Sequence, residues 1–218
     1  AGGVSTGQWD SLNLGTHVHD SPVAVAINRQ RVTHSMGAPL AWMDQVHGVD
    51  CVQRTDSQGI PEADAQWTEA AGLALAVGVA DCLPVGFCAD DGSRVGVAHA
   101  GWRGLAGGVI EATAAAMGGS LIAVLGPCIG QAAFQVGPEV REKFCNADPA
   151  AASAFVADDD GRWRCDLRAI ARQRLKTLGI EVVYDIDECT YANPDRWFSF
   201  RRHRPGGRMA LVMVRHTT

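Results

Sequence analysis

Apolar positions follow two different spacings along the chain, which predicts strands that alternate with helices. Runs of mostly apolar residues at 73–79, 121–125 and 209–214 are typical of buried strands. Helical spacing follows Ser21-Pro22 and Asp166, where the serine and the aspartate are favourable N-caps. Because strands and helices alternate along the chain, the pattern favours the α/β class.

The remaining segments extend this pattern. Two strands, 40–46 and 50–54, are joined by a short turn at His47-Gly48, and the runs 85–88 and 94–98 predict a hairpin. Pro84 cannot donate a sheet hydrogen bond, so we expect the chain to bend there. The other predicted elements are helices at 102–117 and 138–145, a strand at 180–186, and loops at 59–64 and 201–208.

The stretch 98–104 joins a strand to a helix through a glycine turn. It places His99 at the carboxyl end of the strand, where ligands tend to bind in α/β sheets. The N–H groups at the start of the following helix can hold an anion. We therefore expect this stretch to form part of a functional site.

The composition is that of an ordinary globular protein. The chain has 218 residues, 47% of them hydrophobic, and its net charge of -5 gives no indication of nucleic-acid binding. No apolar run approaches the roughly 20 residues that span a bilayer, and no signal peptide is visible. Seven scattered cysteines favour reduced thiols and a cytoplasmic location. We expect one monomeric α/β domain over residues 1–218, and its glycine-rich start raises the hypothesis that it lacks a first strand.

Three residues far apart in the chain, His47, Cys82 and His99, lie where predicted strands end. Strand ends converge at the edge of a sheet, and two histidines with one cysteine form an open zinc site that leaves a position for water or substrate. Zinc in such a site lowers the pKa of bound water and supplies hydroxide. Each residue also has a structural explanation. His47 can be a solvated turn residue, Cys82 a buried apolar thiol and His99 a hydrogen-bonded core residue.

Several further segments accompany these three residues. The most specific are Ala80-Asp-Cys-Leu-Pro-Val85 and Val97-Ala-His-Ala-Gly-Trp-Arg-Gly104. The others are Gly2-Gly-Val-Ser5, Ser11-Leu-Asn-Leu-Gly15, Asp44-Gln-Val-His-Gly48, Glu62-Ala-Asp-Ala65, Gly126-Pro-Cys-Ile-Gly130, Phe134-Gln-Val-Gly-Pro-Glu139, Cys189-Thr190 and Phe198-Ser-Phe-Arg-Arg202. In their order along the chain, these segments closely resemble the YfiH/laccase-domain family, also labelled multicopper polyphenol oxidase and purine nucleoside phosphorylase.

The resemblance implies a three-layer α/β/α sandwich with a mixed sheet, and one zinc ion held by His47, Cys82 and His99. It also implies activity on purine nucleosides: phosphorolysis of adenosine, inosine and methylthioadenosine, and deamination of adenosine. The sequence departs from the family in starting too late to include a usual Thr-Arg dipeptide. It also has His19 and Phe200 where glycine and tyrosine are common.

Phosphorolysis would be helped by positive charge near the phosphate and by a proton donor to the purine. Arg103, beside the glycine turn, is the first phosphate candidate, and Arg201 and Arg202 come second, with a solvated basic loop as their alternative. Asp81 and Asp64 are candidate proton shuttles for deamination. The remaining pocket candidates, each with a packing alternative, are Asn13, Gln45 and Cys128, which match family segments, and Trp102, whose ring can stack on a base.

Other functions remain open for the same residues. Two histidines and a cysteine also form a blue-copper ligand set, so a copper-dependent polyphenol oxidase is an alternative. A multicopper oxidase, however, needs a further three-copper cluster, which is built largely from histidines. The pair His17 and His19 could look metal-binding, but it precedes a helix cap, where we expect surface positions. Without metal, Cys82 would be a nucleophile and His99 its base, as in cysteine hydrolases. A non-enzymatic role in cell-wall maintenance or protein interaction is the last alternative.

Overall fold

The computed structural model describes residues 2–216. No helix in this range combines the length and the apolar character that crossing a bilayer requires. A short sheet joins three small strands in the order β8-β10-β9, and two larger sheets form the body of the protein. The helices and strands, in chain order, are α1 Pro22–Met36, β1 Leu40–Ala41, β2 Cys51–Gln53, β3 Ala65–Thr68, β4 Ala74–Val79, β5 Leu83–Ala89, β6 Val95–Ala100, α2 Trp102–Gly107, α3 Val109–Met117, β7 Leu121–Leu125, β8 Gln135–Val136, α4 Pro138–Ala147, β9 Phe155–Ala157, β10 Trp163–Cys165, α5 Leu167–Thr177, β11 Glu181–Asp185 and β12 Met209–Val214.

Six strands form the largest sheet, in the order β11-β7-β5-β6-β3-β2. The outer pairs β2–β3 and β7–β11 are parallel and the pairs between them are antiparallel, so the sheet is mixed. Helices α2 to α5 cover one face of this sheet. Their side chains, among them Leu105, Phe144 and Leu175, form one buried apolar cluster with Val85 and Phe87 of β5.

A second sheet, in the order β1-β4-β12, packs against the other face of the six-stranded sheet. Leu75 and Val77 of β4 share a buried cluster with Val95 and Val97 of β6. The opposite side of β4 packs with α1, through Val32 among others. The predicted α/β class with a mixed sheet is confirmed, and the structure adds that the two larger sheets are stacked, with helices outside both.

The prediction that strands 40–46 and 50–54 are joined by a short turn was wrong. β1 pairs with β4 in the smaller sheet, whereas β2 pairs with β3 in the larger one. The segment 42–50 therefore crosses from one sheet to the other, and His47 lies in this crossing. β3 was not predicted, because the alternation of apolar and polar residues in Ala65–Thr68 extends over only four positions.

Two further predictions near the glycine turn need correction. Pro84 lies inside β5, opposite His99 of β6, rather than at a bend. Pairing between β5 and β7 begins only at Val85, so the missing N–H falls at the end of that ladder. The predicted helix 102–117 is divided at Gly108, whose φ of 99° ends α2 and starts α3.

Candidate metal centre

The side chains of His47, Cys82 and His99 meet at one end of the six-stranded sheet. β5 and β6 pair Leu83 with Ala100, which brings Cys82, the residue before β5, next to the end of β6. One ligand atom from each of the three residues lies within 4.8 Å of the other two. The predicted convergence is therefore present, and the group can bind a metal ion.

Gly101 makes this close approach possible. A Cβ atom at this position would lie 2.9 Å from the sulfur of Cys82 and 3.2 Å from a ring carbon of His47. Such distances are too short for an ordinary contact, so a larger residue would displace two ligands. Gly101 thus leaves room for the metal ligands Cys82 and His47.

A fully buried carboxylate, Asp64, holds two of the three ligands. Its Oδ1 lies 2.8 Å from Nδ1 of His99 and accepts the backbone N–H of His47 at 3.0 Å. Its Oδ2 accepts the N–H groups of Val46 at 3.1 Å and Gly48 at 2.6 Å. These bonds stabilise His47 at a φ of 64°, a conformation that non-glycine residues seldom adopt. Asp64 is thus placed to orient metal-binding histidines, as carboxylates behind such ligands commonly do.

The thiol and the imidazole of the site change each other's ionisation. Burial alone would raise the pKa of Cys82, but the imidazoles of His99 and His47 outweigh burial and lower it to about 6. Burial would lower the pKa of His99, but the Cys82 thiolate and the Asp64 carboxylate raise it to about 9. Without a bound metal, Cys82 and His99 therefore form an ion pair at neutral pH. The thiolate is also the form of cysteine that binds metals.

Zinc affinity should rise by about tenfold per pH unit between about pH 7 and 9. A metal needs the neutral form of His99, whose pKa is raised to about 9, whereas Cys82, with a pKa of about 6, is already a thiolate in this range. Each binding event should therefore release one proton from His99. Calorimetric titration of zinc at several pH values, in buffers of different ionisation enthalpy, measures both quantities. An affinity that does not change with pH would contradict the ion pair.

The three ligands line a cavity of about 660 Å³. Two imidazole nitrogens and one thiolate suit zinc or copper, and three protein ligands would leave a further coordination position for water or substrate. The residues present therefore fit a metal ion of the catalytic type. The cavity volume lies within the range of small-molecule sites, about 300–1,000 Å³.

Residues 1–216 match a family model described as multi-copper polyphenol oxidoreductase laccase. The chain belongs to this laccase family. A Pseudomonas aeruginosa protein named purine nucleoside phosphorylase is 46% identical over 217 residues, which cover 98% of this chain and 89% of that protein. Purine nucleoside phosphorylase YfiH of Escherichia coli is 43% identical over 215 residues, which cover 96% of this chain and 88% of that protein.

Solved structures of similar proteins have the same fold. A crystal structure of a Neisseria meningitidis protein has a TM-score of 0.95 and 46% identity, with 98% of this chain and 90% of that one covered. The crystal structure of YlmD from Geobacillus stearothermophilus has a TM-score of 0.89 and 30% identity, with 100% and 89% covered. The resemblance to the laccase-domain family, predicted from sequence motifs, is therefore confirmed.

Two of the pocket residues predicted from laccase-family segments hold the backbone around the cavity. Gln45 lines the cavity, and its side-chain amide donates to the carbonyl of Gly78 at 2.9 Å and accepts the N–H of Gly78 at 2.8 Å. Asn13 is fully buried, and its Oδ1 accepts the N–H groups of Gly15 at 2.9 Å and Arg208 at 2.8 Å. Gln45 thus ties the loop that carries His47 to β4.

Asp81 and two of the predicted arginines hold the segment that precedes β12. The Asp81 carboxylate accepts the hydroxyl groups of Thr190 at 2.6 Å and Ser199 at 3.0 Å, and the backbone N–H of Arg201 at 2.7 Å. The side chains of Arg201 and Arg202 donate to backbone carbonyls. Asp81, Arg201 and Arg202 are not among the residues that line the cavity.

Three other predicted residues lie in or on the helical layer. Arg103 is exposed on α2, with its guanidinium carbon 4.4 Å from the centre of the Trp102 ring, and Trp102 packs against the helical core. Cys128 is buried 3.5 Å from a guanidinium nitrogen of Arg168, and burial raises the pKa of its thiol to about 12. Arg103, Trp102 and Cys128 also lie outside the cavity lining.

Several polar and aromatic residues of the cavity were not selected from the sequence. Helical spacing could have indicated Arg29, because it shares a face of α1 with buried Val25 and half-buried Val32. No local pattern indicates Arg208. His17 is exposed, as predicted, but it lies at the cavity. The polar and aromatic residues that the structure adds to the lining are Thr16, His17, Arg29, Trp42, Asp44 and Arg208.

Proposed function

We propose that the chain is a zinc-dependent purine nucleoside phosphorylase that acts on adenosine, inosine and methylthioadenosine. The observation that carries this proposal is that the group formed by His47, Cys82 and His99 opens into a cavity of about 660 Å³. A cavity of this size can hold a nucleoside together with phosphate. The names of the similar Pseudomonas aeruginosa and Escherichia coli proteins, both purine nucleoside phosphorylases, support the proposal.

In phosphorolysis, an oxygen of phosphate forms a bond to C1′ of the ribose while the bond from C1′ to the purine nitrogen breaks. The electron pair of that bond leaves with the purine, which takes up a proton. Adenosine and phosphate then give adenine and ribose 1-phosphate. A zinc ion in this site would supply a Lewis acid beside the substrates. The protein would bind and orient both substrates, and the aromatic rings of Trp42 and Phe200 are part of the cavity lining.

Deamination of adenosine is a second reaction proposed for the same centre. Zinc deaminases use an acid/base carboxylate in addition to the metal ligands. The carboxylates of Asp64 and Asp81 are engaged by hydrogen bonds from neighbouring protein groups. Asp44 is the carboxylate among the described residues that line the cavity, which makes it the better candidate for proton transfer.

Copper-dependent polyphenol oxidation and metal-free hydrolysis are the alternative functions. Within residues 2–216, His47, Cys82 and His99 are the one group of three or more His, Cys, Asp or Glu residues that can hold a metal. A complete multicopper oxidase needs a three-copper cluster besides, so phosphorolysis has more support. The Cys82–His99 ion pair would suit a cysteine hydrolase, and stoichiometric zinc in the purified protein would argue against it.

Purine release should depend on phosphate. Protein purified without added metal should contain stoichiometric zinc and should convert adenosine to adenine and ribose 1-phosphate only when phosphate is present, because phosphate is the attacking group. Elemental analysis and chromatography of the same sample measure both, and inosine in these chromatograms reports deamination. A sample with zinc that releases no adenine in phosphate would refute phosphorolysis. Phenol oxidation by a copper-loaded sample would favour the oxidase.

A further inference from the structure

Two arginines line the cavity, and neither has a carboxylate partner within residues 2–216. Arg29 and Arg208 are both half-buried. Among the salt bridges of the described residues, neither arginine takes part, and Asp44, the carboxylate of the lining, pairs with neither. Burial lowers the pKa of both guanidinium groups. A buried charge is costly unless it is paired, so these two groups favour an anionic ligand.

Protein contacts hold each guanidinium group in place and leave N–H donors for a ligand. Arg29 donates through Nε to the carbonyl of Leu14 at 2.9 Å, and its guanidinium carbon lies 4.0 Å from the centre of the Trp42 ring. Arg208 donates through one terminal nitrogen to two glycine carbonyls, at 2.8 and 3.2 Å. Within residues 2–216, both terminal nitrogens of Arg29 and the second one of Arg208 make no hydrogen bond to protein. Arginines fixed in this way lose little freedom when they bind a ligand.

We infer that Arg29 and Arg208 form a subsite for inorganic phosphate beside the metal centre. Phosphate oxygens match the paired N–H donors of guanidinium groups, and the two negative charges of phosphate would compensate both half-buried cations. An uncharged phenol would leave both arginines unpaired, so the subsite favours phosphorolysis over phenol oxidation. The inference rests on the proposed function, in which phosphate attacks the ribose.

The position of Arg208 relates this subsite to the metal ligands. Arg208 and Arg29 line the same cavity as the metal ligand Cys82. Arg103, the first phosphate candidate in the sequence, is exposed on α2 and lies outside the cavity lining. An anion held by Arg29 and Arg208 would therefore share one cavity with a nucleoside at the metal centre.

The Arg208→Gln variant of the zinc-loaded protein should raise the KM for phosphate by at least about tenfold, with the KM for adenosine changed by less than about twofold. Glutamine keeps the Cβ and Cγ atoms that pack on Gly15. Arg29→Gln should behave in the same way. Calorimetric binding of inorganic phosphate without nucleoside gives a readout that does not depend on turnover, and its Kd should rise by the same factor.

Arg31→Gln is the matched control, because Arg31 is exposed on α1 two residues after Arg29. Both kinetic constants should stay unchanged in this variant. Unchanged KM and Kd for phosphate in Arg208→Gln and Arg29→Gln would overturn the subsite, and so would a rise confined to Arg103→Gln. Melting temperatures check folding. If Arg29→Gln does not fold, the KM for phosphate is compared between Arg208→Gln and Arg208→Lys, since lysine keeps the positive charge that glutamine removes. An equal KM in these two variants and the wild type would overturn the subsite.

The same measurements separate the subsite from the proposed function. If phosphate binds through the two arginines but no purine is released, the subsite stands and phosphorolysis fails. If purine release needs phosphate but the variants behave as wild type, phosphorolysis stands and the subsite fails. Adenosine 5′-monophosphate carries the same anionic group on the nucleoside, and it should bind no tighter than adenosine. Tighter binding that is lost in Arg208→Gln would overturn inorganic phosphate as the ligand.

Discussion

The Cys82→Ala variant should contain no stoichiometric zinc and should release purine more than about a hundredfold more slowly than the wild type. The Cys82 thiolate is the anionic ligand of the three, and two histidines alone leave zinc with too few protein ligands. Cys82 lines the cavity and is only half-buried, so the melting temperature should fall by only a few degrees. Elemental analysis, purine chromatography and circular dichroism on one preparation measure all three effects.

Cys145→Ala is the matched control for this variant. Cys145 is a half-buried cysteine of α4 that lies outside the cavity lining, so its replacement should leave zinc content and turnover unchanged. Full turnover by metal-free Cys82→Ala protein would refute the role of the metal centre. Loss of turnover with zinc retained would instead indicate that Cys82 acts as a nucleophile.

Zinc affinity should fall by about 10- to 100-fold in Asp64→Asn, even though the two side chains have the same shape. The carboxylate has two oxygens that accept, one facing His47 and His99 and the other facing Val46 and Gly48. An amide accepts through only one of them, so two donors would meet an NH₂ group. Each buried donor left without an acceptor costs about 1–3 kcal/mol, so the free energy of unfolding should also decrease. Chelator competition measures the affinity, and urea unfolding measures the stability.

Asp158→Asn serves as the control, because this half-buried carboxylate accepts from Gln135 and pairs with Arg164 outside the cavity lining. It should leave zinc affinity unchanged. If Asp64→Asn folds and binds zinc as tightly as the wild type, the histidines do not depend on Asp64 for their orientation.

Local signals in the sequence located much of the fold. Ser21 caps α1 by accepting the N–H of Ala24, and Asp166 caps α5 by accepting the N–H of Ala169, both as predicted. The predicted strand 209–214 coincides with β12. Caps and apolar spacing depend on residues a few positions apart, so the sequence displays them directly. Which sheet receives the segment 40–46 depends instead on pairing with β4, more than thirty positions further along the chain.

By itself, the sequence determined which residues can hold a metal ion. His47, Cys82 and His99 have the side chains that this chemistry needs and lie in recognisable segments, and the structure brings their ligand atoms within 4.8 Å. Only the tertiary structure decided which charged residues accompany them, because it brings Arg29 and Arg208 to the cavity and leaves Arg103 on the surface. Ligand chemistry is a property of single side chains. A shared cavity depends instead on how α1 and the segment before β12 pack together, and no local pattern encodes that packing.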